Sequence, residues 1–161
     1  GVQDDTFLFN QGPPSGMMSI QFHDYSTAYD GYDLPNVNIF KSQVDAYKDL
    51  IMNAPPTMKQ ADDIDFVLIG GELFTLCVYG QLILENAKIH EMDDDLIEQI
   101  FDFMIKDFSK FALQFYLKPI TKKKQMEYCM EMIKKPVKDK KRFGRVRERI
   151  YALKGTYTQN E

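Results

Sequence analysis

Few residues in this chain have the types and spacing that chemistry requires. Its 161 residues include two histidines, His23 and His90, and two cysteines, Cys77 and Cys129. Neither histidine has a cysteine or serine at motif spacing. His90 closes an apolar run, where a cation favours the carboxyl end of a helix dipole, and both read as structural. The cysteines stand on different predicted helices. Two isolated thiols make neither a disulfide framework nor a metal knuckle, so both read as small buried hydrophobes in a reducing cytoplasm. Asp93-Asp94-Asp95 lacks the glycine and distal glutamate of a calcium loop. The Glu-x-x-His pairs of a di-iron bundle are missing, and no glycine-rich phosphate loop follows a predicted strand. No catalytic, cofactor or metal residue is assigned.

Two candidates remain. Glu72 follows Gly70-Gly71 in the middle of the most apolar stretch, which makes it a candidate buried carboxylate with a raised pKa. A glutamate paired across a helix seam is the plainer reading of it. The second is the basic stretch from Lys134 to Arg149. Helical spacing gathers Lys138, Lys140, Lys141, Arg142, Arg145 and Arg149 within about three turns. Phe143, Val146, Ile150 and Leu153 fall opposite. This is either a solvated face or an association surface for an anionic membrane or an acidic protein.

The charge distribution sharpens that candidate. The net charge is -4, yet residues 1–117 carry 6 Lys+Arg against 19 Asp+Glu, and residues 118–161 carry 14 against 5. The basic end can meet an acidic surface. Nucleic acid is not expected of a chain that is acidic overall and has no recognised binding motif.

The elements that must position these residues are helices. Hydrophobic residues make up 44% and charged residues 27%, as in an ordinary globular domain. Residues 1–35 are irregular and aromatic, with Gly12-Pro13-Pro14 forbidding a helix, and Ile20 to Phe22 reads as a short strand. So many aromatics predict a docking strap rather than a floating tail. Val37, Phe40, Val44, Tyr47 and Ile51 form one stripe of a first helix, capped by Asn36 or Asn38 and stopped by Pro55-Pro56.

A second helix is expected from Thr57 to His90, apolar over most of its circumference and therefore packed on several sides. Its glycines, Gly70, Gly71 and Gly80, predict a close approach by a neighbour. Its length tempts a membrane reading. Asp65, Glu72 and Gln81 interrupt it, and an acid at a bilayer centre costs about 2.5–3.5 kcal/mol, so a core helix is expected.

Asp93-Asp94-Asp95 caps a third helix, with Leu96, Ile100, Met104, Phe108, Phe111 and Phe115 inside and Glu98, Asp102, Lys106 and Lys110 in water. Thr121 caps a fourth, bearing Met126, Met130 and Ile133, and Asp139 caps the basic fifth. The expectation is all-α: an up-and-down bundle of four to five helices over residues 36–154, the second and third as its antiparallel centre, with a frayed tail from 155 to 161. Gly1 is not an initiator methionine, so the chain reads as a processed product or a piece of something larger.

Several segments resemble the C-terminal region of a bacterial subgroup of acyl-CoA dehydrogenases. They are Phe22-His23-Asp24-Tyr25 through Asp33-Leu34-Pro35-Asn36, Asp65 to Thr75 with Gly70-Gly71-Glu72 at its centre, Tyr79 to Ala87, and Asp107-Phe108-Ser109-Lys110-Phe111. The similarity runs over roughly residues 20 to 135, in texture rather than in a signature motif. It implies FAD-dependent oxidation of acyl-CoA thioesters by the family, and fatty acid metabolism as its setting. The glycine-rich stretches that hold flavin in that family are not recognisable here, and no catalytic glutamate transfers to a numbered residue. The resemblance therefore implies an appended helical domain without the active site. It would serve contacts with the rest of a dehydrogenase chain or a second subunit, in a cytoplasmic homo-oligomer that can lie against the inner membrane face. The alternative is a stand-alone interaction module acting through its basic helix.

Overall fold

In the computed structural model, which describes residues 25–156, the chain is helical from Pro35 to Ala152 apart from short connections. A 3₁₀ turn, Tyr25–Tyr29, precedes α1 (Pro35–Asn53), α2 (Met58–Ala61), α3 (Ile64–Ile89), α4 (Asp94–Leu117), α5 (Lys123–Met132) and α6 (Lys140–Ala152). No strand occurs among the described residues. The all-α bundle expected from the periodicity is what forms. The strand expected at Ile20–Phe22, His23 and the first 24 residues of the strap lie outside the described residues, as do residues 157–161.

The bundle is built around α4, which packs against α1, α3, α5 and α6. Its inner stripe meets α1 at Phe40, whose ring stands edge-to-face with Phe101 at 5.2 Å and with Phe108 at 5.6 Å. Phe66 of α3 meets Phe115 at 4.4 Å. All five rings are at most 1% exposed, and burying each stabilises by roughly 1.5–3 kcal/mol.

Buried amides then lock the helix ends. Gln43 Nε2 donates to Met132 O at 2.7 Å, Ser109 Oγ at 3.0 Å and Ile105 O at 3.3 Å, tying α1 to α4 and α5. Gln60 Nε2 donates to Ile120 O and to Gln125 Oε1, both at 2.8 Å, while Gln125 Nε2 reaches Ala54 O at 3.0 Å.

Several local expectations are corrected. Leu34, not an asparagine, precedes α1, with Pro35 at the first turn and no side-chain cap. Asn36 is instead fully buried and bonds across the bundle. The second helix is broken in two: Asp63 starts a new one by accepting from Phe66 N at 2.9 Å. Thr121 does not cap α5; its hydroxyl donates to Phe115 O at 2.6 Å, satisfying a carbonyl in the last turn of α4. The caps expected at Asp93 and Asp139 are present. Of the three glycines, only Gly80 permits a close approach: a methyl there would sit 2.4 Å from Phe40 Cε1 and 2.9 Å from the Tyr29 hydroxyl.

The largest correction concerns α3. It forms the expected antiparallel pair with α4, but it is not enclosed. Phe66, Leu73, Gly80, Leu84 and Ala87 are its buried residues. They mark one narrow stripe, and the rest of an apolar cylinder faces outward.

Candidate functional site

At 100° per residue, the positions of α3 opposite its buried stripe are Ile64, Leu68, Gly71, Thr75, Val78, Leu82, Asn86 and Ile89, with Thr75 and Asn86 the polar ones. Ile64 is 74% exposed, Leu68 61%, Leu82 51% and Ile89 76%. The helix is 26 residues long, so this face runs for about 39 Å. Its best 18-residue window has a mean hydropathy of 1.8 and is 17% buried, which makes α3 long and apolar enough to cross a membrane by length and composition. Val78 is half-buried where the face meets a groove lined also by Tyr47 and Ile51, and the four larger side chains are mostly open to solvent. Contiguous apolar surface of this extent marks a place where something else binds.

Glu72 lies on the flank of this face and is exposed, not buried as expected. With Asp65 and Lys118 it borders an open groove of about 520 Å³ between α3 and the end of α4. Asp63 ties that end down. The Phe66 N–H and the Lys118 ammonium, 3.2 Å away, hold its carboxyl below the usual carboxylate range.

The basic helix is divided rather than displayed. Arg142 is buried, its side chain 7% exposed, and its Nη1 donates to Glu98 Oε2 at 3.0 Å. Glu98, expected in water, is equally buried because its other oxygen accepts from Asn36 N at 3.0 Å. Arg145 grips Asp95 with Nε at 2.6 Å and Nη2 at 2.7 Å, and Arg149 pairs with Asp93. The bidentate contact from Arg145 holds the Asp95 carboxyl below its ordinary range. Arg142, Arg145 and Arg149 thus clasp the acidic start of α4. Lys138, Lys140 and Lys141 are exposed, and none has an acidic partner among the described residues. The apolar side of α6 is mostly open: Val146 is buried, whereas Phe143 is 50% exposed and Ile150 60%.

No protein family, no curated protein and no solved structure matches this chain.

The remaining chemical candidates are quiet. Burial pushes the thiols of both Cys77 and Cys129 up to about 12. His90 is exposed and closes α3, its backbone N–H donating to Asn86 O at 3.0 Å. Among the described residues no group of three or more His, Cys, Asp or Glu could hold a metal ion. Sequence reasoning missed the outer face of α3 because that helix is apolar nearly all round. Its acids, Asp65, Glu72 and Glu85, were the available signal: their spacing leaves a long uncharged strip between the two flanks they occupy.

Proposed function

We propose that this chain is a helical association domain whose working surface is the outer face of α3, appended to an acyl-CoA dehydrogenase-like flavoenzyme and serving assembly rather than chemistry. The observation that carries the association half is the exposure of Ile64, Leu68, Leu82 and Ile89 along one line of the longest helix. A strip about 39 Å by 10 Å would remove some 400 Å² of apolar surface from water, about 10 kcal/mol before the losses of association are subtracted.

The partner is a protein surface and not the bilayer interior. Asp65, Glu72 and Glu85 flank the strip, and Glu72, near the middle of the helix, would cost about 2.5–3.5 kcal/mol at mid-membrane. The enzyme half rests on the resemblance alone. It names the dehydrogenase body as the partner, and fatty acid metabolism as the setting.

The surface is tested with the variant Leu68→Glu/Leu82→Glu. Without that partner, the unaltered chain is expected to pair with its own copies through the same face in a concentration-dependent way and to enhance the fluorescence of an apolar dye. The variant should be monomeric, dye-silent and equally resistant to heat. A variant that melts much earlier, or that still associates, overturns the reading. The enzyme half is tested by the polypeptide encoded ahead of Gly1: a flavin-binding dehydrogenase fold supports it, and a native start near Gly1 overturns it.

A further inference from the structure

A pocket of about 420 Å³ opens between the middle of α4 and the start of α6, away from the outer face of α3. Its walls combine aromatic rings with charged groups, Asp102 and Asp139 among them. Phe103 and Phe143 are apolar and about half exposed, at 53% and 50%. Lys106, Lys138 and Lys140 surround them, with the Lys106 ammonium 5.2 Å above the Phe103 ring.

The charges do not cancel. Lys106 is paired with Asp102, Arg142 with Glu98, and Arg145 with Asp95 and, at 3.9 Å, Asp139. Asp139 also accepts from the N–H groups of Lys141 and Arg142 as the cap of α6. Lys138 and Lys140 make no ion pair among the described residues, and with Asp139 between them the rim keeps one net positive charge.

Arg142 and Gln99, 6% and 7% exposed, close the floor, and both terminal nitrogens of the guanidinium are engaged, with Glu98 and with Val137 O.

We propose that this pocket binds a small phosphomonoester with an aromatic body, a ligand of the nucleotide class. A phosphate monoester carries about -1.5 to -2 charge at neutral pH, and its three oxygens can accept from Lys138 and Lys140 at once. A flat ring can stack on the half-exposed Phe143 ring and meet Phe103 where Lys106 leaves it open, and pockets of several hundred Å³ suit ligands of this size. The inference is independent of docking through α3.

The test is titration of the whole chain with adenosine monophosphate, followed by calorimetry and by amide NMR shifts. Saturable binding is expected, with shifts at Gln99, Lys138 and Lys140. Lys138→Glu/Lys140→Glu should weaken it at least tenfold, and Phe143→Ser about tenfold, since stacking on an aromatic is worth roughly a factor of ten per base. All three positions are exposed, so the variants should melt like the parent, which separates lost binding from lost fold. Three results would each overturn the proposal: no binding of the nucleotide, binding that survives the lysine reversal, and inorganic phosphate binding as tightly as the nucleotide. Vesicles of phosphatidylcholine with phosphatidic acid form the control arm. Attachment to these without nucleotide binding assigns the lysines to a lipid headgroup and ends the soluble-ligand proposal.

Discussion

Arg142 Nη1 donates to Glu98 Oε2 at 3.0 Å across 44 residues of sequence, with both side chains 7% exposed. The pair turns a basic helix toward the bundle. Arg142 Nη2 also reaches Val137 O at 3.1 Å, and Asn36 holds both the Val137 N–H, at 2.8 Å, and the far oxygen of Glu98. One carboxylate therefore joins the start of α1, the first turns of α4, the connection at Val137 and the first turn of α6. The position of α6, and with it the pocket beside it, depends on this network.

Removing one partner of a buried pair strands the other. Arg142→Met and Glu98→Leu are each expected to destabilise by about 3–5 kcal/mol, with Glu98→Leu the worse because Asn36 N loses its acceptor as well. The double variant should recover most of the Arg142 loss. Chemical denaturation curves check this; equal, additive losses in the double variant would mean that the pair is not coupled.

Gly80→Ala sets two local effects against each other. Alanine favours helix by about 1 kcal/mol over glycine. Its methyl would meet Phe40 Cε1 at 2.4 Å, and that ring is held between Phe101 and Phe108. Overpacking of about 1–3 kcal/mol outweighs the helical gain, so the melting temperature should fall. Gly71→Ala is the control. Nothing lies within 4 Å of its added methyl, and the same substitution there should raise stability. A rise at Gly80 would show that Phe40 can retreat.

The fold was legible where a helix has one apolar stripe. Val37, Phe40, Val44 and Tyr47 are buried as their spacing required, while Ile51, the fifth of that stripe, is 40% exposed, and Asp93 and Asp139 cap as their positions required. It was illegible where partners are remote. Nothing near Glu98 or Asp102 distinguishes a buried carboxylate from a solvated one; the decisive partner of Glu98 lies on α6. The outer face of α3 was misread for a related reason. An apolar circumference tells that a helix avoids water, not how many neighbours the chain itself supplies. The pocket beside α6 joins Phe103 to Phe143 across 40 residues, a juxtaposition that no periodicity encodes.

Both thiols should be silent in the folded protein. With burial pushing each up to about 12, only about one in ten thousand is thiolate at pH 8, and the thiolate is the reactive form. Ellman's reagent is expected to titrate no thiol rapidly at pH 8 and two after denaturation. Fast reaction of one thiol would point to Cys77, which is half-buried, whereas Cys129 is fully enclosed.

The clasp between α6 and α4 should open in acid. The Asp95 carboxyl is held below its ordinary value of 3.8, chiefly by its hydrogen bonds from Arg145, so it is ionised more readily folded than unfolded. A depressed carboxyl contributes stability that is fully present above the unfolded value and is lost as pH falls through the folded one. Arg145, raised in return by Asp95, adds nothing within an accessible alkaline range. The expected result is a difference in stability between the parent and Asp95→Asn that is constant from about pH 5 to 9 and shrinks below about pH 4. Salt should shrink it too, because Arg145 is 47% exposed and the Debye length at 0.1 M is about 10 Å. A difference that persists at pH 2, or that ignores salt, would assign the effect of Asp95 to the first turn of α4 rather than to the clasp.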